Sequence, residues 1–238
     1  MTKDKEFLNT LQDSFKTYLE TDARSNEKLK ILHKKISEDF LSVLGNEYIV
    51  NSLGLDDDFG KEAEVVGKYY DKKVDITISK NNEHIAGIGV KFIMSNYSQN
   101  SNNYFENMMG ETVNLRLAQF KYYQVFVIFD RLPYFKNGGI IQKIEQITEH
   151  NISKYIKLGS ESIDCYFHVP NKTLLYIIHI NPLPNDKMIG YNKEKYKAFY
   201  NNSFTIELSQ MTITQSKNII YNKYEEFVNK CCYEIMSI

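Results

Sequence analysis

Apolar positions recur at helical spacing twice before residue 50, and the pattern then switches to alternation. Residues 4–20 and 26–44 read as helices. In "NEKLKILHKKISEDFLSVL", Leu29, Leu32, Ile36, Phe40 and Leu44 share one face, and Gly45 stops the run. In "DDDFGKEAEVV", Asp56, Asp57 and Asp58 suit the positive end of a helix, so an acid-led helix start is expected there. Three candidate strands follow, at about 65–70 ("VVGKYY"), 73–79 ("KVDITIS") and 84–94 ("HIAGIGVKFIM"). A polar loop, "SNYSQNSNN", leads into a helix at about 104–117. The run 122–129, "YYQVFVIF", is apolar apart from Gln124 and reads as a buried central strand. "LLYIIHI" at 174–180 is another strand, and 216–236 reads as a helix with Ile220, Tyr224, Phe227, Cys231 and Ile235 on one stripe. The pattern predicts an α/β sandwich in which helices flank a mixed β-sheet. A single domain over 1–238 is expected, with a helical part at 1–55, a core at 56–130 and an extension at 131–238.

Composition narrows the class only slightly. With 238 residues, 42% hydrophobic and 13% aromatic, the chain can bury a sizeable core. A net charge of -1 excludes a basic protein that coats nucleic acid through charge alone. The three cysteines, Cys165, Cys231 and Cys232, form neither a C-x-x-C pair nor an even disulfide set. With no apolar leader and no long apolar run, a soluble, cytoplasmic protein without a membrane partner is expected.

The chemistry concentrates in the hairpin. A symmetric turn at Asn81-Asn82-Glu83 sets Ile76 opposite Ile88 and Asp75 opposite Gly89. Alternation then puts Val74, Ile76, Ile78, Ile88, Val90 and Phe92 on one face and Asp75, Thr77, Gly87, Gly89 and Lys91 on the other. A half-buried hairpin with a surface ion pair has the same pattern, so spacing alone leaves both readings open.

"VDITI", a turn and "GVKF" resemble the PD-(D/E)XK nuclease superfamily, which includes most type II restriction endonucleases. "SNYSQNSNN" is similar to runs that follow the catalytic strand in such enzymes. The resemblance covers the middle third of the chain and implies a restriction-endonuclease-like core: a helix, a three-strand meander, a crossing helix and a further strand. It implies Mg²⁺-dependent hydrolysis of phosphodiester bonds in double-stranded DNA. Asp75 and the Val90 carbonyl would then be metal ligands, and Lys91 the lysine that orients water or stabilises phosphate charge. Gly89 departs from the pattern, because it stands where the family has Asp or Glu. A second carboxylate, and with it a further metal ligand, is therefore expected first from Glu64, ahead of the first strand, and second from Glu111 on the following helix. Glu62 is a weaker substitute, and Glu106 reads first as a helix cap with Asn103.

The polar loop offers base-reading amides and hydroxyls at Ser95, Asn96, Gln99, Asn100, Asn102 and Asn103. Lys72, Lys73 and Arg116 are candidate phosphate contacts. A palindromic duplex site further implies a homodimer, with 4–44 or 216–236 as candidate interfaces or as core. Two alternatives stay open: a repair or defence nuclease acting on branched or single-stranded DNA, and an inert DNA- or protein-binding module.

Overall fold

The computed structural model describes residues 2–21, 25–55, 60–136, 138–201 and 203–237. The chain opens with α1 (Lys3–Glu20) and α2 (Glu27–Leu44), followed by β1 (Tyr48–Ser52), β2 (Ala63–Val65), β3 (Lys72–Val74), β4 (Ile76–Lys80) and β5 (Glu83–Ile93). Next come α3 (Tyr97–Arg116), β6 (Lys121–Phe129), β7 (Arg131–Lys136), β8 (Ile140–Gln146) and α4 (Glu149–Ser160). The last part holds β9 (Lys172–Asn181), α5 (Lys193–Tyr200), β10 (Thr205–Leu208), β11 (Ile219–Tyr221) and α6 (Tyr224–Met236).

The main sheet runs β1-β4-β5-β6-β9-β10, with β11 also on β9. The strands β1, β4 and β5 form an antiparallel meander, whereas β5-β6 and β6-β9 are parallel. The crossover from β5 to parallel β6 requires a covering element, and α3 supplies it. Side-chain parity along β6 separates the two faces. Phe15 of α1 meets Phe129, and Phe7 meets Tyr176 of β9, so α1 covers that face. Tyr97 of α3 and Tyr155 of α4 meet Phe126, which points the opposite way. Helices therefore cover the mixed sheet on both sides.

The predicted stripes of the first, second and last helices are core. Phe7, Leu11, Phe15, Leu19, Leu32, Ile36, Phe40, Phe227 and Ile235 are all buried within the chain. Gly45, at φ +84°, ends α2 in the left-handed region that glycine tolerates.

Several boundaries differ from expectation. The acid-led start at 56–58 lies outside the described residues. Of the first candidate strand, 65–70, only Val65 lies in a strand, as the last residue of β2, which pairs with β3 in a separate two-stranded sheet. The meander's first strand is instead β1. The expected strand 73–79 breaks at Asp75 into β3 and β4. The register Ile76↔Ile88 is as expected, and a bulge after Ile78 shifts Ser79 onto His84. The break changes Val74's side: it packs with Val65, Leu115, Phe120 and Tyr122 in a second small core, not with Ile76. The expected 104–117 helix starts at Tyr97, and the expected 216–236 helix starts only at Tyr224, after β11.

Candidate active-site cleft

A cleft of about 390 Å³ opens where β3 hands over to β4, beside the second half of β5. Asp75 enters it from the break between the strands, and Lys91 from β5. Tyr104, Asn107, Met108 and Glu111 enter from α3 at positions i, i+3, i+4 and i+7, one helical face. The Asp75 carboxylate accepts a hydrogen bond from the Val90 N–H at 2.7 Å through Oδ2. That bond ties the break to β5 and holds the carboxylate beside the strand carrying Lys91. The Lys91 ammonium lies 4.7 Å from the centre of the Tyr104 ring, a cation–π contact.

Glu111 is held on both oxygens. Lys72 Nζ donates to Oε1 at 2.6 Å, and the Tyr122 hydroxyl donates to Oε2 at 3.0 Å. Burial disfavours charge on Lys72, but the hydrogen bond and charge of Glu111, with a smaller contribution from Asp75, outweigh it and raise its pKa. Burial pushes the Tyr122 hydroxyl far above its ordinary range, and the charges of Glu111 and Asp75 push it further. Tyr122 therefore remains a donor to Glu111 across the physiological range. Burial also raises the carboxyl of Glu62, with the Asp75 charge adding to the effect.

Gly89 has no room for a side chain unless Tyr122 or Gln124 shifts. A Cβ on Gly89 would lie 2.5 Å from the Tyr122 hydroxyl oxygen and 2.8 Å from Gln124 Nε2. Gln124 pairs with Gly89 in the β5-β6 register and is buried, yet its side chain lines the cleft. Sequence reasoning missed Gln124 and Tyr122 as site residues. The available signal was the single amide in the otherwise apolar run 122–129. His33, buried on α2, does not line the cleft but lies within electrostatic range of Asp75. Burial lowers its pKa, the Asp75 charge opposes that, and neither ring nitrogen has a partner among the described residues.

Of the sequence-predicted residues, Asp75, Val90, Lys91, Glu111, Lys72 and Lys73 share the cleft. Glu64 does not: it is exposed on β2, opposite Lys73. Glu106 is exposed and caps nothing, because α3 begins nine residues before it, at Tyr97. No residue of 95–103 lines the cleft.

The Asn96 amide is committed to β7. It accepts from the Phe135 N–H at 3.0 Å and donates to the Phe135 carbonyl at 2.7 Å, so its expected base-reading role gives way to a structural one. Gln99 accepts from the same amide, Asn100 donates to the Asn96 carbonyl, and Asn102 accepts from Lys154. Ser95 is half-buried, and Asn103 is exposed. Arg116 is likewise structural, because its guanidinium donates to the carbonyls of Ile163, Tyr166 and Val169.

Among the described residues, no three His, Cys, Asp or Glu side chains converge as a metal-ligand group. The cleft nevertheless offers two carboxylates, Asp75 and Glu111, and the Gln124 amide. These are hard oxygen donors of the kind Mg²⁺ takes, and Asp75 Oδ1 makes no hydrogen bond to a described residue. Lys72 already stands as the cation on Glu111. The donor set fits a hard divalent ion that competes with that ammonium. No known protein family, curated protein or solved structure matches this chain.

Proposed function

We propose that this chain is a Mg²⁺-dependent DNA endonuclease of the type II restriction class, built on a PD-(D/E)XK core. The observation that carries the reading is the meeting of Asp75, Lys91 and Glu111 in one cleft. The order α2, antiparallel β1-β4-β5, α3 and parallel β6 also agrees with the plan that the sequence resemblance implies.

Asp75, Glu111 and the Val90 carbonyl would hold the ion, which supplies an activated water and offsets charge on the scissile phosphate. Asp75, fixed by the Val90 N–H, presents its second oxygen to the cleft. Lys91 places its ammonium beside the phosphate, where negative charge grows as the phosphodiester bond breaks. Tyr122 and Gln124 hold the floor beneath and fill the space of the absent acid. Binding to a palindromic duplex as a homodimer would give each strand one such cleft.

A second reading is supported by the occupied state of Glu111. If Lys72 and Tyr122 never release it, the fold is an inert DNA-binding module. Digestion of several plasmids with Mg²⁺ separates the readings. The restriction reading expects discrete fragments, a nuclease acting on branched or single-stranded DNA leaves smears or nicks, and the inert module leaves DNA intact.

A further inference from the structure

The segment between β2 and β3 carries aromatic side chains that the catalytic reading does not use. Tyr69 is 72% exposed, Tyr70 50% and the neighbouring Val66 74%. Neither tyrosine ring stacks on another described ring. Large apolar groups left in water on a mobile loop would be unremarkable, but this loop is tightly held. Asn114, buried on α3, accepts from the N–H groups of Tyr69 at 2.8 Å and Tyr70 at 3.4 Å and returns a bond to the Tyr70 carbonyl at 2.9 Å. Its own carbonyl takes the Lys68 N–H at 2.9 Å. Gly67 is required by the same closeness, since a Cβ there would lie 2.1 Å from the Asn114 amide nitrogen.

A buried side chain thus spends its hydrogen bonds on fixing a loop whose rings face solvent. Rigid, exposed tyrosines give contact area at little entropic cost on binding. The loop runs directly into the cleft: Lys72 and Lys73 line it, and Tyr70 lies within electrostatic range of Lys72. Lys68 and Lys73 are exposed, as are the acids Glu64 and Asp71 of the same segment.

We propose that the loop from Gly67 to Asp71 is a preformed docking platform for duplex DNA. Tyr69 and Tyr70 lie against the sugars and groove wall next to the scissile phosphate, and Lys68 and Lys73 take flanking phosphates. This rests on the nuclease reading and names the part of the surface that seats its substrate.

The test measures fluorescence anisotropy of a labelled duplex and of one of its single strands, with Ca²⁺ in place of Mg²⁺, using the full chain. The Tyr69→Ala/Tyr70→Ala pair should weaken duplex binding about tenfold, the scale of interface tyrosines, while melting at the wild-type temperature. Tyr69→Phe/Tyr70→Phe should bind within about twofold of wild type, because rings and not hydroxyls make the contact. Lys68→Ala and Lys73→Ala should each reduce the slope of log affinity against log salt by about 1. The proposal is overturned if the alanine pair binds duplex as tightly as wild type, if the loss is confined to the single strand, or if the phenylalanine pair loses as much as the alanine pair. Any of these leaves the nuclease reading standing when wild type still binds and cuts. A wild-type chain that binds neither DNA overturns both.

Discussion

Gly89 stands where the proposed nuclease reading expects an acid, and Gly89→Ala tests whether a side chain is excluded there by the fold. The added Cβ would sit 2.5 Å from the Tyr122 hydroxyl oxygen and 2.8 and 3.0 Å from the Gln124 amide. Gln124 can swing, since its amide ends a flexible chain. Tyr122 cannot: its ring is 1% exposed and its hydroxyl is bonded to Glu111 at 3.0 Å. Overpacking of this kind costs about 1–3 kcal/mol. For a chain of this size, about 2–4 °C per kcal/mol translates that into a fall of roughly 2–12 °C in Tm. Urea unfolding and thermal melts of Gly89→Ala, Tyr122→Phe and the double variant form the assay. Removing the hydroxyl opens the space, so the double variant should be more stable than the sum of the singles allows, a coupling of about 1 kcal/mol. Gly89→Asp should be less stable than Gly89→Ala and no more active, because it sets a third carboxylate near Glu111 and Asp75. A Gly89→Ala protein that melts with wild type, without coupling to Tyr122→Phe, would refute the steric explanation.

Lys72→Met removes the resident cation from Glu111; the pair is partly exposed, so the gain in Mg²⁺ or Mn²⁺ affinity should be modest, about fivefold by titration calorimetry, and unchanged or weaker binding would contradict the competition. Asn96→Ala should cost about 1–3 kcal/mol in urea unfolding, the penalty for stranding the Phe135 backbone groups, and should leave the base preferences of binding or cleavage unaltered; a changed preference would return Asn96 to recognition. Glu62 carries a raised carboxyl pKa in the fold. Its ionised form is therefore held less well folded than unfolded, a cost present above the folded pKa and absent below the unfolded one. Glu62→Gln should accordingly raise stability at neutral pH and have no effect in acid, and equal effects at both would show that charge is not the cause.

The legible parts of the chain were those in which one segment settles its own structure. The four-residue spacing of Leu32, Ile36, Phe40 and Leu44 and the apolar run of β6 needed no partner to be read. The break at Asp75 was hidden because its cause, the Val90 N–H, lies 15 residues away. The start of α3 was hidden for the same reason. Its Asn- and Ser-rich first turns have little amphipathic signal, and the groups that settle them come from β8, where the buried Glu145 carboxylate accepts from the Ser98 N–H at 3.3 Å. The meander's first strand, β1, is only five residues long, and its pairing with β4 is tertiary. At the site, Asp75, Lys91 and Glu111 were within reach of sequence reasoning. That Glu111 lines the cleft and Glu64 does not was hidden, because it depends on which face of α3 turns toward β5. Asn96 and Arg116 show the opposite error: polar residues in a suggestive context whose bonding capacity the fold has already used.

The central claim is that Asp75, Glu111 and Lys91 act together on a phosphodiester. Its most direct test is Mg²⁺-dependent plasmid cleavage by Asp75→Asn, Glu111→Gln and Lys91→Ala, with Glu64→Gln as the matched control and melting temperature confirming each fold. Asp75→Asn and Lys91→Ala should abolish cutting, Glu111→Gln should reduce it by at least about 100-fold, on the scale of lost electrostatic stabilisation, and Glu64→Gln should cut as wild type does. Intact plasmid with the wild-type chain, or near-wild-type cutting by Asp75→Asn, would contradict the account.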